Sequence, residues 1–407
     1  MSKNRHQKSS TTELKRKLAA ALVSRRRFLI GAGAIGLSTV TGCGEQQATE
    51  NAPVSTDVPT TIPPTATPAA PTIVPTAASG TYQVPGFPAF VPAPTMIEVV
   101  EDRGDTVLVR HTLGEVEIPK NPQRVFADSQ ALQTALLLEL NLVGADYYPG
   151  GDDIPSLAEA FAGIPDILES SSDDLSYERV LSLKPDLIIA PGHLQFPASG
   201  DPEEAYELLS QIAPTITFTD NAFVFWEQAA LDLGRVFGRE DEVVARLETF
   251  EQDVAEACEP VQSAIGDESV LHIQIFGTTP VLASVGQPDA SGDGFKPTGD
   301  NRWLYEWCQM SPPENLAELV PPPMRFLEIT GEQIPDLKGD HIVLMLGDDE
   351  AIESYEDILS NPLWQVVPAV QEGNVYIMPR IGGFDYESTL YTISVLGEAI
   401  EEANSSR

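Results

Sequence analysis

Residues 240–265 read EDEVVARLETFEQDVAEACEPVQSAI, and this stretch decides the fold. Val243, Val244, Leu247, Phe250, Val254 and Ala257 recur at helical spacing, and no glycine interrupts the run before Gly266. A helix of roughly 25 residues is about 37 Å long, which exceeds most helices of globular domains. On its N-terminal side the chain alternates strand and helix. Residues 124–127, 142–145, 187–190 and 215–218 read as short buried strands. The stretch from Ser129 to Leu140 is helical by its Leu132, Leu136, Leu137 and Leu140. Residues 177–183 form another helix, stopped by Lys184-Pro185, and 223–237 form a third. Beyond the long helix the alternation restarts, with strands at 270–276, 326–329, 342–346 and 375–378 and a closing amphipathic helix at 388–402. Repeated β-α units imply parallel sheets covered by helices, so the expected fold is α/β, two lobes joined by a single long α-helix. Ahead of the first lobe, 97–101 and 106–112 alternate around Arg103-Gly104-Asp105 and read as a hairpin.

The N-terminus reads differently. Ser24-Arg25-Arg26-Arg27-Phe28-Leu29 is followed by a short Gly/Ala-rich apolar run and then Val40-Thr41-Gly42-Cys43. A basic region, an apolar region and a small residue before cysteine make a bacterial-type export signal. The arginines followed by Phe-Leu resemble a twin-arginine signal, and the last four residues resemble a lipobox that leaves Cys43 lipidated. The run from Phe28 to Gly42 is too short for a span, which needs roughly 20 apolar residues. The expected organisation is a signal peptide at 1–42, a Pro/Thr-rich linker at 43–95, an N-terminal lobe at 96–238, the inter-lobe helix at 239–266 and a C-terminal lobe at 267–407. Recurring prolines, among them Pro53, Pro59, Pro63 and Pro64, make the linker an extended, semi-rigid spacer. The expected location is therefore extracytoplasmic, anchored to the cell membrane through Cys43.

Charge excludes one class of partner. The chain carries 24 Lys+Arg against 61 Asp+Glu. Nine of the bases and one acid precede Cys43, so beyond it 15 bases face 60 acids, a net charge of −45. That field repels nucleic acid and anionic lipid, and any anionic ligand needs a local basic group. Cys258 and Cys308 are either bridged, as an oxidising compartment permits, or two buried thiols; the second reading is favoured. His111, His193, His272 and His341 show no ligand spacing, so no metal site is expected and a lone histidine such as His272 reads as a core residue. There is no G-x-S-x-G, no P-loop and no H-E-x-x-H, which argues against an enzyme. The run Gly31-Ala32-Gly33-Ala34-Ile35-Gly36 fits a dinucleotide fingerprint, but it lies in the signal with no strand before it. Asp289-Ala290-Ser291-Gly292-Asp293-Gly294 lacks the alternating carboxylates of a calcium loop.

Six segments then fall in order: GEVEIPKNPQRV (114–125), LSYERVLSLKPDLI (175–188), LLSQIAPT (208–215), LGRVFGR (233–239), ITGEQI (329–334) and PAVQEGNVY (368–376). Together they resemble the iron-siderophore/cobalamin-type periplasmic solute-binding proteins of ABC importers, over about residues 97–402. The resemblance implies two Rossmann-like lobes on one rigid helix, a ligand between them and no catalysis. It also implies a monomer partnered by an ABC permease/ATPase complex, with no cofactor of its own. The implied ligand is a small-molecule iron chelate, an Fe(III)-siderophore; a corrinoid or haem receptor, or a surface sensor or adhesion module on the same fold, are the alternatives.

By motif position, Glu178 and Glu332 match the family's exposed permease-docking glutamates. Each also lies two residues after a hydroxyl residue, Ser176 or Thr330, as a helix-start carboxylate would. Ligands of open α/β lobes bind beyond the carboxyl ends of the strands. That rule selects Tyr147 and Tyr148, His193 and Phe196 from the first lobe, beside Asp128-Ser129-Gln130. From the second lobe it selects Thr278 and Arg380, with Arg302 and Trp303 ahead of a helix. Aromatic faces and one or two arginines would hold a large, partly aromatic, often anionic chelate. Arg302 has a competing reading as the ion-pair partner of Asp300 or Glu306.

Overall fold

The structure is a computed structural model of the 407-residue chain. It describes residues 84, 87, 93–146, 154–167, 175–195, 200–218, 225–288, 295–297, 299–321, 324, 326–381 and 385–405. All of these belong to one compact unit, Pro75–Arg407. The signal, Cys43 and most of the linker lie outside the described residues, as do Tyr147, Tyr148, Phe196 and the 289–294 loop.

Three antiparallel strands open the unit: β1 (Glu98–Asp102), β2 (Thr106–His111) and β3 (Gly114–Pro119). The expected hairpin thus gains a third strand. Val107, Val109 and His111 of β2 point inward, on the alternation a half-buried strand requires. Arg103, Arg110 and Lys120 pair with acids on the exposed strands, which adds little stability at such surface positions.

The first parallel sheet follows. Its strands are β4 (Val125–Ala127), β5 (Leu142–Ala145), β6 (Leu187–Ile189) and β7 (Thr215–Ile216), in the order β5-β4-β6-β7. Around them lie α1 (Leu132–Leu137), α2 (Pro155–Phe161), α3 (Tyr177–Leu183), α4 (Pro191–Gln195) and α5 (Pro202–Ser210). Local chemistry fixes the ends of α3. The Ser176 side chain accepts from the Arg179 N–H, and Lys184 turns left-handed at φ 50° before Pro185. Asp201 caps α5 in the same way, with Pro202 in the first turn.

Two helices carry the chain onward, α6 (Trp226–Val236) and α7 (Glu240–Ile265). The 26-residue α7 starts with Glu240, Asp241 and Glu242, which favour the positive end of its dipole. It buries Val243, Leu247, Phe250, Val254, Cys258, Val261 and Ile265, a single seam at intervals of three and four. Val244, expected on that seam, is exposed. The buried face packs against α6 and against the closing helix α12, described below. Asp232 of α6 is fully buried and accepts from the Met96 and Ile97 N–H groups at 2.6 and 3.1 Å, fastening the chain's entry to the unit.

The second sheet runs β12-β9-β8-β13-β14. Its parallel core is β8 (Val270–Phe276), β13 (His341–Leu346) and β14 (Val375–Pro379). β9 (Thr279–Ala283) pairs antiparallel with both β8 and β12 (Phe326–Glu328), and the sequence reading had not placed it. A small ribbon, β10 (Gly286–Pro288) with β11 (Phe295–Pro297), branches from the sheet. The helices are α8 (Gly299–Arg302), which runs into a π-turn at Trp303–Trp307, then α9 (Leu316–Leu319), α10 (Asp349–Ser360), α11 (Pro368–Glu372) and α12 (Tyr386–Ser405). Cys258 of α7 and Cys308 beyond the π-turn form a disulfide, Cα to Cα 5.2 Å. The favoured reading of two free thiols is corrected: both side chains are fully buried, and the inward seam of α7 brings one against the other.

Candidate functional site

Parallel strands aim their carboxyl ends at one edge of each sheet, and the loops there carry the candidate residues. In the first lobe Asp128 follows β4. Its Oδ1 accepts from the Gln130 and Ala131 N–H groups at 3.1 Å each, and its Oδ2 from the His193 N–H at 2.8 Å. It therefore fastens the start of α1 to α4. Burial, then the neighbouring Asp146, pushes its pKa well above the carboxylate range against those backbone donors. Asp146, after β5, is raised to about 6 by burial, although the Ser129 backbone and hydroxyl donate to it. Its Oδ1 is buried without a hydrogen-bond partner. These acids are scaffold groups, tied to backbone.

His193 lies on α4, half-buried. Its Nε2 is 3.4 Å from the Tyr177 hydroxyl, and the two rings meet edge-on at 5.9 Å. Tyr177 is the neighbour of Glu178, so the candidate ligand residue and the candidate docking residue share one corner of the lobe. Glu178 itself is exposed in the first turn of α3, behind the Ser176 cap.

In the second lobe, three adjacent strands build one surface. Phe276 ends β8 and remains 36% exposed. Gly277, at φ +57°, turns the chain through the exposed Thr278 into β9. Gly347 follows β13 so closely that a Cβ there would stand 2.6 Å from Phe276 Cδ1. Arg380 follows β14, is exposed, and holds its guanidinium over the Phe276 ring at 5.3 Å. Asp348 braces the group by accepting from the Gly277 and Ala351 N–H groups. The structure thus brings Phe276 and Arg380 together, as an aromatic shelf topped by a cation, with Thr278 exposed in the turn two residues beyond Phe276. Phe276 was missed as a site residue because a terminal strand aromatic reads as core.

Arg302 and Trp303, expected to line the cleft, are core residues. Arg302 is 6% exposed, with Nη1 2.7 Å from Glu227 and Nε 2.6 Å from Glu306. Its guanidinium lies over the Trp307 ring at 4.7 Å. The competing reading as the partner of Glu306 holds, one helical turn away, and Glu227 adds a second carboxylate from α6. Trp303 is 1% exposed and meets the His272 ring edge-on at 5.7 Å. His272 is a core residue, held between Asn301 and Met345. Among the described residues no three His, Cys, Asp or Glu side chains converge as a metal would require.

Glu332 is exposed, but not in the first turn of an α-helix. The Gln333 side chain accepts from the Thr330 N–H and hydroxyl at 2.9 Å each, and the chain passes into a 3-10 turn at Ile334–Asp336. The helix-start reading of Glu332 is corrected accordingly.

One further feature escaped the sequence. A cavity of about 220 Å³ is lined by Gln133 of α1, Ser156 of α2, Trp226 of α6, Arg246 of α7 and Tyr386 and Glu387 of α12. Ser156 Oγ donates to Glu387 at 2.7 Å, and the Tyr386 hydroxyl donates to Asp253 at 2.7 Å. Below the roughly 300 Å³ at which ligand pockets begin, it does not hold a whole chelate. No sequence signal marks it, since its walls come from five helices far apart in the chain.

Comparison with known proteins places this geometry. Residues 135–286 match the family model described as periplasmic binding protein. The chain is 25% identical over 281 residues to the iron(3+)-hydroxamate-binding protein FhuD of Bacillus subtilis (strain 168), covering 66% of this chain and 78% of that one. It is 23% identical over 268 residues to the iron-uptake system-binding protein of the same organism, covering 65% and 76%. Among solved structures, the FhuD protein from S. pseudintermedius superposes with a TM-score of 0.54 at 23% identity, over 72% of this chain and 98% of that one. The family resemblance and the two-lobe α/β fold read from the sequence are borne out, and these relatives are binding proteins rather than enzymes.

Proposed function

We propose that this relative of the periplasmic binding proteins is the extracytoplasmic substrate-binding protein of an ABC importer. It takes a ferric siderophore between its lobes and hands it to the permease. The iron arrives already chelated, and the protein performs no chemistry on it. Two relatives whose names specify iron uptake and iron(3+)-hydroxamate binding support the substrate class.

The observation that carries the ligand reading is Arg380 lying over Phe276 at the carboxyl ends of β14 and β8. In a chain of net charge −37, an exposed arginine on an aromatic shelf is a rare local cation for an anionic, partly aromatic guest. Thr278 and, from the first lobe, His193 are its neighbours in role, with Tyr147, Tyr148 and Phe196 as the aromatic complement. Glu178 and Glu332 dock the loaded protein, monomeric, on the permease/ATPase complex, steering the encounter through their charge. The lipid on Cys43 and the proline-rich linker hold it at the membrane, where a free receptor would diffuse away.

Titration with ferric hydroxamate, catecholate and carboxylate chelates, haem and cobalamin, followed by tryptophan fluorescence, tests the reading. Quenching that saturates at one equivalent with a ferric chelate, and not with its iron-free form, is the expected result. Silence across the panel from a folded protein would sink it.

A further inference from the structure

The most exposed large apolar side chains among the described residues are Leu181, at 57%, and Val366, at 53%; the others are at 40% or below. Leaving a leucine or valine in water is unfavourable, and a chain this acidic has polar residues to spare for such positions. Their places in the fold are not random. Leu181 lies on α3 one helical turn after Glu178, so the two side chains share a face. Val366 lies on the 3-10 turn Trp364–Val366, which packs against the 3-10 turn Ile334–Asp336 just beyond Glu332. On that same side Leu363, 38% exposed, reaches the backbone of Gly331, where a Cβ would stand 3.3 Å from its Cδ1. Each lobe therefore presents one of these exposed carboxylates beside exposed apolar side chains, Leu181 in the first and Leu363 and Val366 in the second. Neither Glu178 nor Glu332 makes an ion pair among the described residues, whereas the acids around Arg103 and Arg110 are paired.

We propose that Glu178 with Leu181, and Glu332 with Leu363 and Val366, are two acidic–apolar couples that seat in two basic-rimmed apolar sockets on the permease. This rests on the docking reading of the two glutamates and adds the part of the contact that holds. The division of labour follows from the physics. Exposed carboxylates accelerate and orient the encounter and are screened by salt. Desolvated apolar side chains set the dissociation rate, where most affinity differences arise. One couple per lobe also makes seating depend on the spacing between the lobes.

The test uses the full chain and the permease/ATPase complex of its own importer in nanodiscs, with association and dissociation rates measured from low to high salt. Leu181→Ser and Val366→Ser are exposed changes, and an unaltered melting temperature verifies their fold. Each is expected to raise the dissociation rate about tenfold with little change in the association rate or its salt dependence. Glu178→Ala with Glu332→Ala is expected to slow association and flatten its salt dependence. Dissociation like the parent's in both serine variants, with docking weakened only by the glutamate changes, would overturn the couples and leave the docking reading standing. Parental kinetics in the glutamate double variant would overturn both.

Discussion

Arg302 Nη1 lies 2.7 Å from Glu227 Oε2, joining the residue that precedes the π-turn to the first turn of α6. Both are nearly buried, at 6% and 13% side-chain exposure, and Glu306 completes the group. Removing one member of a buried ion pair strands the other, at about 3–5 kcal/mol. Arg302→Met should therefore lower unfolding free energy by about that much in urea, and adding Glu227→Gln should recover part of it. If Arg302→Met instead abolished chelate binding with stability intact, Arg302 would return to the ligand site.

Asp146 gives a pH signature. Burial raises its pKa to about 6 in the folded chain, from 3.8. Between those values the folded state holds the proton that the unfolded chain releases, so stability falls as pH rises through this window and levels off above it. The loss is on the order of 3 kcal/mol. Asp146→Asn should flatten that part of the curve in urea titrations run from pH 4 to 7. Asp128, raised in part by Asp146, shifts down in the variant and sharpens the difference, while the repulsion among acids remote from this pair is common to both proteins and drops out of the comparison. A slope identical in variant and parent would remove Asp146 as its source.

The Cys258–Cys308 bridge closes a loop of sequence separation 50. In the chain-entropy model a loop of that size contributes about 4 kcal/mol, by restricting the unfolded chain. Replacing both cysteines with alanine should lower the urea midpoint accordingly, and a reductant should lower the parent's midpoint toward the variant's. An unshifted midpoint in both experiments would count against the bridge.

Arg380 is exposed, so Arg380→Ala should move stability by no more than about 0.5 kcal/mol. Anionic ferric chelates should bind the variant about ten- to a hundredfold more weakly, the range of a lost charge-assisted hydrogen bond. Neutral chelates should lose less. Fluorescence titration reads both, and unchanged affinity for an anionic chelate would take Arg380 out of the site.

What the sequence determined by itself was whatever depends on near neighbours in the chain. The 3.6-residue recurrence of apolar groups and the lack of any glycine before Gly266 defined α7 at its observed bounds, and the stop at Lys184-Pro185 did the same for α3. β8 was equally legible as an apolar run. β9 was not, because Pro280 reads as a strand breaker. The structure accommodates it at the second residue of the strand, before pairing with β12 begins at Val281. The candidate site divides along the same line. The rule of strand carboxyl ends found Arg380, Thr278 and His193, while Phe276 became visible only once β8 and β14 stood in one sheet with Arg380 over the ring. Arg302 shows the limit most plainly: Glu306, four residues on, could be foreseen as its partner, and Glu227, 75 residues back, could not. The Cys258–Cys308 bridge and the cavity between α1 and α12 belong with it. Such pairings depend on how preformed helices and sheets pack against one another, and that packing energy is spread over contacts which no local pattern records.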